Sequence, residues 1–338
     1  MSRFFHSVLA ATAATLLGAC SGQDSQAPTG LTPLAGAASL TAQPTQARLV
    51  GHNGDITPLI TVGDSLPTAT GGTMWAPIPD GLGGYQRGDD LVLYANHELT
   101  SSGVKDINGV TQFPNARVSR LVIDRKTLAV KDASYVVTGN EGYQRLCSAT
   151  WVGAAEGFPS GWFLTGEEAT GGTHDGIQLA IGTDGVVHEL PWIGRFAHEN
   201  LIGVPYKGKV VAIGTDDTAG FSELYMYVGD TEADVINGTG KLYVFASSAA
   251  PNSGALKVNE PVRGSWVEVP SPASLSSAAL QTTVSGLGAF PFVRLEDSDY
   301  DHRANGKPAI YFVDTGSQST LCNGVACDPL RLDLPTRA

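Results

Sequence analysis

The sequence is poor in charge, and poorest in positive charge. Only 16% of its 338 residues are charged, and 21 lysines and arginines stand against 33 aspartates and glutamates, a formal net charge of −12. Nucleic acids and anionic membrane surfaces attract proteins mainly through lysine and arginine, so we expect neither as a partner. A phosphate ester remains possible, because cations held by the protein would reverse the local field.

Long apolar runs are missing after the first twenty residues, and none reaches the roughly 18 residues that a membrane helix needs. Residues 1–19 join Arg3 to the short apolar run "SVLAATAATLLGA", which is typical of a signal peptide. The run ends in "LLGAC", which resembles a bacterial lipobox and predicts a lipid-anchored Cys20 as the mature N-terminus. An ordinary signal peptide with an incidental cysteine is the alternative. We expect an exported protein, at the cell envelope or in the periplasm, whose membrane contact is the lipid anchor alone.

Cysteine is scarce as well, with four residues. Cys322 and Cys327 lie close together in "LCNGVACDP", and an oxidising compartment favours a disulfide between them. Cys147 then has no partner. It is either a small buried residue or a ligand.

Helical periodicity is nearly absent, apart from a short helix predicted within residues 271–286. Residues 20–46 are rich in Ser, Pro, Ala, Gly and Gln, which indicates a flexible linker. From residue 47 to 338, short apolar runs alternate with Gly, Asp, Asn and Pro, a pattern that predicts strands and turns. The predicted strands are residues 90–96, 118–124, 134–139, 161–166, 209–215, 223–230, 241–247, 265–270 and 309–316. We expect an all-β domain, an irregular β-propeller, with a large β-sandwich as the alternative.

Acidic residues cluster where these strands end. The candidates are Glu98 in "YANHEL", Glu167 and Glu168 in "TGEEA", Glu199 in "FAHENL", Asp216 and Asp217 in "IGTDDT", and Glu296 in "FVRLEDSDYD". Converging carboxylates repel one another unless a cation lies among them. Many oxygen ligands favour hard ions such as Ca²⁺, Mg²⁺ or ferric iron, and Cys147 would add a soft ligand. The simpler alternative is that each pair stabilises its own turn.

The motifs "PIPDGLGGY", "YQRLCSATW", "WFLTGEE", "VVAIGTDDT", "NGTGKLYVF" and "FVRLEDSDYD" follow one another in an order that resembles the PhoX-like bacterial alkaline phosphatases, over about residues 76–316. The resemblance implies a six-bladed propeller that hydrolyses phosphate monoesters at a site holding iron and calcium. Metal-ligand positions of the family match Glu98, Cys147, Glu168, Glu199 and Glu296, and a substrate-phosphate contact matches Arg294. Glu167, Asp216 and Asp217 lie in matching motifs and are further metal candidates.

One departure from the family pattern bears on these expectations. The resemblance implies more strands and late acidic positions after "FVDTG", so we expect an incomplete ring, C-terminally truncated, with unpaired strand edges near residues 309–334. Other functions on the same scaffold stay open. They are a non-catalytic, calcium-stabilised propeller that binds a ligand, or another hydrolase such as a phosphodiesterase, a phytase-like enzyme or a lactonase.

Overall fold

The computed structural model describes residues 40–45, 47, 56–67, 74–106, 108–218, 220–257, 261–301 and 309–316. The predictions for the signal peptide, Cys20, Cys322 and Cys327 lie outside these residues. Among the described helices, none is both long and apolar enough to cross a membrane.

Strands dominate the described residues. They are β1 (Pro79–Arg87), β2 (Asp90–His97), β3 (Val104–Lys105), β4 (Thr111–Gln112), β5 (Arg117–Asp124), β6 (Val130–Val137), β7 (Leu146–Val152), β8 (Trp162–Glu167), β9 (Gln178–Gly182), β10 (Val187–Glu189), β11 (His198–Tyr206), β12 (Lys209–Asp216), β13 (Leu224–Gly229), β14 (Lys241–Ala246), β15 (Ser265–Glu268), β16 (Leu295–Tyr300) and β17 (Ile310–Asp314). The all-β class is therefore confirmed.

The strands form antiparallel sheets in chain order. Sheet 1 has the order β1-β2-β5-β6, sheet 2 the order β10-β9-β8-β7, and sheet 3 the order β11-β12-β13-β14-β15. Strands β16 and β17 pair as a separate hairpin, and β3 pairs with β4. One edge strand of each sheet faces the next: β1 contacts β7, β7 contacts β11, and β11 contacts β16. We call β1, β7, β11 and β16 the inner strands.

Apolar side chains fill the spaces between consecutive sheets. Tyr94 of sheet 1 stacks on Phe163 of sheet 2, with ring centroids 5.2 Å apart, and both are fully buried. A second cluster joins sheet 2 to sheet 3 around Phe196 and Tyr225, and a third joins sheet 3 to β16 around Phe292. Each large side chain that leaves water contributes about 1.5–3 kcal/mol, so these layers hold the sheets side by side.

Helices are short and lie outside the sheets. The α-helices are α1 (Glu232–Ile236) and α2 (Ser277–Gly286), and the 3₁₀ turns are Ala154–Glu156, Pro191–Ile193, Ser253–Ala255 and Pro272–Ser274. The hydroxyl of Ser276 accepts a hydrogen bond from Ala279 N and caps α2, a preferred N-cap arrangement. Leu280 and Val284, four residues apart, are its buried side chains. The helix predicted within residues 271–286 is confirmed, and it begins after the 3₁₀ turn.

All nine predicted strands are present. Most of their observed ends lie within two or three residues of the predicted ends, but β6 starts earlier than predicted. Strand β1 escaped prediction because its "DGLGGY" core is glycine-rich, and glycine is depleted in strands. Here the glycine is required by close packing, since a Cβ on Gly81 would lie 2.4 Å from Ala149 N of β7. The blade-like order of the sheets is compatible with a propeller, but the described residues close no ring. Six blades remain a prediction.

Candidate metal centre

The same irregularity occurs in four hairpins of the described chain. In hairpins 1 to 4 (β1–β2, β7–β8, β11–β12 and β16–β17), two residues of the inner strand stand opposite one residue of its partner, which is a β-bulge. The shifts lie between Pro79 and Leu82, Leu146 and Ala149, His198 and Leu201, and Leu295 and Ser298. Bulges redirect side chains and are common beside functional sites. The sequence has no matching repeat of residue types, so this repeat was invisible in the sequence.

The first residue of each bulge carries a ligand-type side chain. We call these four the bulge residues: Asp80, Cys147, Glu199 and Glu296. The residue just after the second strand of each hairpin is its exit residue, and these are Glu98, Glu168, Asp217 and Thr315. Each exit residue donates its backbone N–H to the carbonyl two residues before the bulge, in Ile78, Arg145, Ala197 and Arg294, at 2.9–3.0 Å. The bulge and this hydrogen bond fix both side chains at one edge of the sheets.

These side chains form three consecutive groups. The groups are Asp80, Glu98 and Cys147; Cys147, Glu168 and Glu199; and Glu199, Asp217 and Glu296. Within each group the ligand atoms lie within 4.8 Å of one another. Each group combines the bulge and exit residues of one hairpin with the bulge residue of the next. Cys147 and Glu199 are therefore each common to two groups.

The acidic strand ends were interpreted as exits from strands, and this is wrong for two of them. Glu199 lies in β11 and Glu296 lies in β16, each next to the first residue of its strand. Both still reach the exit carboxylates because the first strand of an antiparallel hairpin begins where the second one ends. Strand β16 was missed because "LEDSDY" has no apolar alternation.

Mutual repulsion and burial disfavour ionisation in the groups. Burial, followed by the charges of Glu168 and Glu296, raises the pKa of Glu199 to about 9. Burial raises the pKa of Glu168 to about 8 against the opposing charge of Arg145. The Cys147 thiol also has its pKa raised, by burial and then by Glu199. Without added positive charge, Glu199 and Glu168 therefore hold their protons in neutral water.

The groups fit metal ions. Two ligands of one ion, each about 2.0–2.6 Å from it, are at most about 5 Å apart, which agrees with the 4.8 Å limit of the groups. Glu199 Oε2 and Asp217 Oδ1 are buried and have no hydrogen-bond partner among the described residues. Such atoms cost free energy unless something pairs with them. A cation supplies that pairing and relieves the repulsion.

Two arginines neutralise part of this charge. Arg145 Nε donates to Glu98 Oε1 at 2.9 Å and its Nη2 to Glu168 Oε2 at 2.7 Å. Arg294 Nη2 donates to Asp217 Oδ2 at 2.6 Å and to Glu296 Oε1 at 3.1 Å. Arg294 therefore lies at the edge of the centre, as expected of it.

A polar layer supports the bulges from below. The second residues of three bulges meet there: Ser148 donates to Asp297 Oδ1 at 2.5 Å, and Asn200 Nδ2 donates to Ser148 Oγ at 2.8 Å. Asn96 of β2 donates to the carbonyl oxygen of Cys147 at 2.8 Å. These contacts join neighbouring inner strands and hold the bulge residues in place.

Of the predicted residues, the structure brings together Glu98, Cys147, Glu168, Glu199, Asp217, Glu296 and Arg294. It does not bring Glu167 or Asp216 into the three groups. Successive residues of a strand point to opposite faces, so Glu167 and Asp216 face away from their neighbours Glu168 and Asp217. Glu167 accepts backbone N–H groups of Gln144 and Gly176.

Asp216 is likewise bonded within its own turn, where it accepts from Thr218 N and Thr218 Oγ1 at 2.8 and 2.6 Å.

Sequence reasoning missed Asp80, Arg145 and Asp297. Asp80 and Asp297 each lie in a bulge. In the sequence, Asp297 could have been found because it directly follows the predicted ligand Glu296. Asp80 could have been found because it lies about one hairpin before the predicted ligand Glu98. Arg145 is two residues before Cys147 in the quoted motif "YQRLCSATW".

The adjacent pair Glu167 and Glu168 allows a matched test. Glu168→Gln is expected to lower the bound metal while leaving the metal-free protein at least as stable, because it removes a repelled carboxyl. Glu167→Gln is expected to keep the metal and to destabilise the fold by about 1–3 kcal/mol, because an amide cannot accept all the backbone N–H groups that Glu167 binds. Elemental analysis measures the bound metal of both variants, and thermal denaturation measures their stability. Equal behaviour of the two variants would contradict it.

Comparison with known proteins supports the resemblance. The family model for alkaline phosphatase PhoX matches residues 185–328. No curated protein and no solved structure matches the chain significantly. Glu199, Asp217, Arg294 and Glu296 lie inside the match, and Glu98, Cys147 and Glu168 lie before it. The resemblance is confirmed at the level of the family model: residues 185–328, somewhat less than half of the chain, are similar to alkaline phosphatase PhoX.

Proposed function

We propose that the protein is a metal-dependent phosphatase that hydrolyses phosphate monoesters at the site formed by the three groups of ligand side chains. The observation that carries the proposal is the shared-ligand arrangement, in which Cys147 and Glu199 each belong to two groups of ligand atoms. Such an arrangement suits several ions a short distance apart, and clustered ions are well suited to phosphoryl transfer. The family match points to the same class of reaction.

The groups differ in the ions they would select. The first two contain the Cys147 thiol, and the third contains carboxylates alone. Sulfur favours transition metals, whereas an all-oxygen set favours Ca²⁺. We therefore assign iron to the groups that share Cys147 and calcium to the group of Glu199, Asp217 and Glu296.

Arg294 is the residue that would bind the phosphoryl group. Only its Nη2 is used by Asp217 and Glu296 among the described contacts, and its side chain is 41% exposed. The remaining N–H donors form a planar fork that matches two phosphate oxygens. When bound, the ions would supply the charge neutralisation that phosphoryl transfer requires. The chain itself orients the substrate through Arg294 and keeps the ligand carboxylates in place through the bulges.

The alternative of a non-catalytic, calcium-stabilised propeller has no use for a half-buried thiol among the ligands. Purified full-length protein should therefore be analysed for metals and assayed with p-nitrophenyl phosphate at alkaline pH, before and after chelation. We expect iron and calcium together, and turnover that chelation abolishes and added metal restores. Calcium without iron, and no turnover, would favour the non-catalytic alternative. Turnover of a phosphodiester or a lactone in place of the monoester would favour another hydrolase.

We also propose that the protein is exported and anchored by a lipid on Cys20, and that small phosphate esters are its partners. Export and the lipid anchor rest on the "LLGAC" sequence, and the phosphate esters rest on the proposed phosphatase reaction. The mass of the mature N-terminal peptide and partition into detergent test it. A mature protein that begins at another residue and stays in the aqueous phase would refute it.

A further inference from the structure

Arg145 and Arg294 occupy equivalent positions in hairpins 2 and 4. Each directly precedes the inner strand of its hairpin, and both have positive φ angles, 46° and 64°. The carbonyl oxygen of each accepts a hydrogen bond from the exit residue of its own hairpin, Glu168 or Thr315. The two backbones therefore present their side chains in corresponding directions.

The two side chains also make corresponding contacts. Each binds the exit carboxylate of the preceding hairpin: Arg145 reaches Glu98 at 2.9 Å, and Arg294 reaches Asp217 at 2.6 Å. Both side chains are 41% exposed. Among the described contacts, Arg145 uses Nε and Nη2, so that its Nη1 group is free to donate to a ligand. Arg145 thus matches Arg294 in backbone, contact and exposure.

Hairpin 3 lacks the arginine. The residue before β11 is Ala197, which is buried and whose methyl group cannot reach a carboxylate. The neighbouring exit residues, Glu168 and Asp217, therefore have no arginine of hairpin 3 beside them. A gap without a guanidinium therefore separates the two arginines, with Asp217 Oδ1 buried and unpaired beside it.

We propose that Arg145 is a second substrate contact, and that it binds an anionic group on the leaving group of the ester while Arg294 binds the phosphoryl group. The inference rests on the proposed function. Because the carboxylates of Glu168 and Asp217 lie between the two arginines, a phosphoryl group held by Arg294 leaves the donors of Arg145 to another anion. The substrate class is therefore a phosphate monoester whose leaving group carries a carboxylate or a second phosphate.

The surrounding carboxylates make this preference dependent on bound cations. The three groups contain six carboxyl groups around the two arginines, and in metal-free protein each one that is ionised disfavours a bound anion. Loaded protein presents two guanidiniums beside neutralised carboxylates. A charge-assisted hydrogen bond to the second anion is expected to improve kcat/KM about tenfold or more.

The test compares phenyl phosphate with 4-carboxyphenyl phosphate on metal-loaded, full-length protein. We expect the wild-type protein to favour the carboxylated ester about tenfold or more in kcat/KM. Arg145→Gln is expected to bring the ratio of the two values close to one, whatever it does to the activity on both. Arg294→Gln is expected to lower both values and keep the ratio, and Arg145→Lys is expected to retain part of the preference.

A binding measurement separates this inference from the proposed function. The dissociation constants of phenylphosphonate and 4-carboxyphenylphosphonate, measured by calorimetry with the metal content of each variant, need no turnover. A protein that hydrolyses neither ester refutes the phosphatase, while tighter binding of the carboxylated phosphonate that Arg145→Gln removes still supports the role of Arg145. Equal treatment of both compounds by the wild-type protein, or an unchanged preference in Arg145→Gln, would overturn the inference.

Discussion

Cys147→Ser is expected to abolish phosphatase activity and to remove the transition metal, while the protein keeps its fold. The serine hydroxyl has nearly the size of the thiol, so packing changes little, but it is a poor ligand for a soft or borderline metal. Cys147 is common to two groups of ligand atoms, so its loss would affect both of the proposed ions. The loss of activity should exceed the roughly 10–100-fold typical of residues that only support a ligand.

The measurements are metal content, turnover of p-nitrophenyl phosphate, and circular dichroism of the variant. Cys147→Ala serves as a second variant, because it removes the ligand without offering an oxygen in its place. Calcium bound by Glu199, Asp217 and Glu296 should be retained in part by both variants. Full iron content and activity in Cys147→Ser would refute the assignment of the thiol as a ligand.

Metal-free protein is expected to lose stability as the pH rises from about 6 to about 9. In the folded protein the pKa is raised to about 9 for Glu199 and to about 8 for Glu168, from an ordinary value of 4.5. Folding therefore retains protons that the unfolded chain releases above its ordinary pKa. This contribution to stability is complete below that value and is lost as the pH rises through 8 and 9. Each such group removes about 1.4 kcal/mol from the free energy of unfolding per pH unit within this range.

Denaturant titrations of chelated protein at several pH values measure this slope. Glu199→Gln should flatten it, because the amide has no proton to lose, although the buried Glu223, whose pKa is also raised to about 9 by burial, keeps part of the slope. Glu268→Gln is the matched control, since Glu268 is an exposed glutamate of sheet 3 that pairs with Lys241, and it should leave the slope unchanged. A metal-free protein that gains stability toward pH 9 would contradict the prediction.

The sequence predicted strands where apolar and β-branched residues dominate, as in β2 and β12, because burial of one or both faces leaves a visible pattern. It failed for β1, where Gly81 packs against a neighbouring backbone, and for β16, where Glu296 lies in the metal centre and Asp297 in the polar layer. It also missed β3, β4, β7, β9, β10 and β11. A bulge is a property of the register between two strands, so the sequence of one strand does not reveal it. Most of the acidic residues of the centre were therefore found, but the rule that groups them was not.

The limits of the site prediction have the same cause. Adjacent acids such as Glu167 and Glu168 look alike in the sequence, and only the alternation of the strand decides which of them faces the centre. Asp80 was overlooked because it stands alone in a glycine-rich segment. Arg145 was overlooked because its equivalence to Arg294 depends on the backbone conformation and on the hairpins that follow.

Each group of ligand atoms takes its members from two consecutive sheets, so an ion in any group would crosslink these two sheets. An unfolding event that separates the sheets must first release that ion, which makes metal affinity part of the barrier to opening as well as part of the equilibrium. Because Cys147 and Glu199 would each bind two ions, release of one ion would lower the affinity of the protein for the neighbouring ion. Resistance to proteolysis would then depend, at each boundary between sheets, on the supply of metal and not on the apolar core alone.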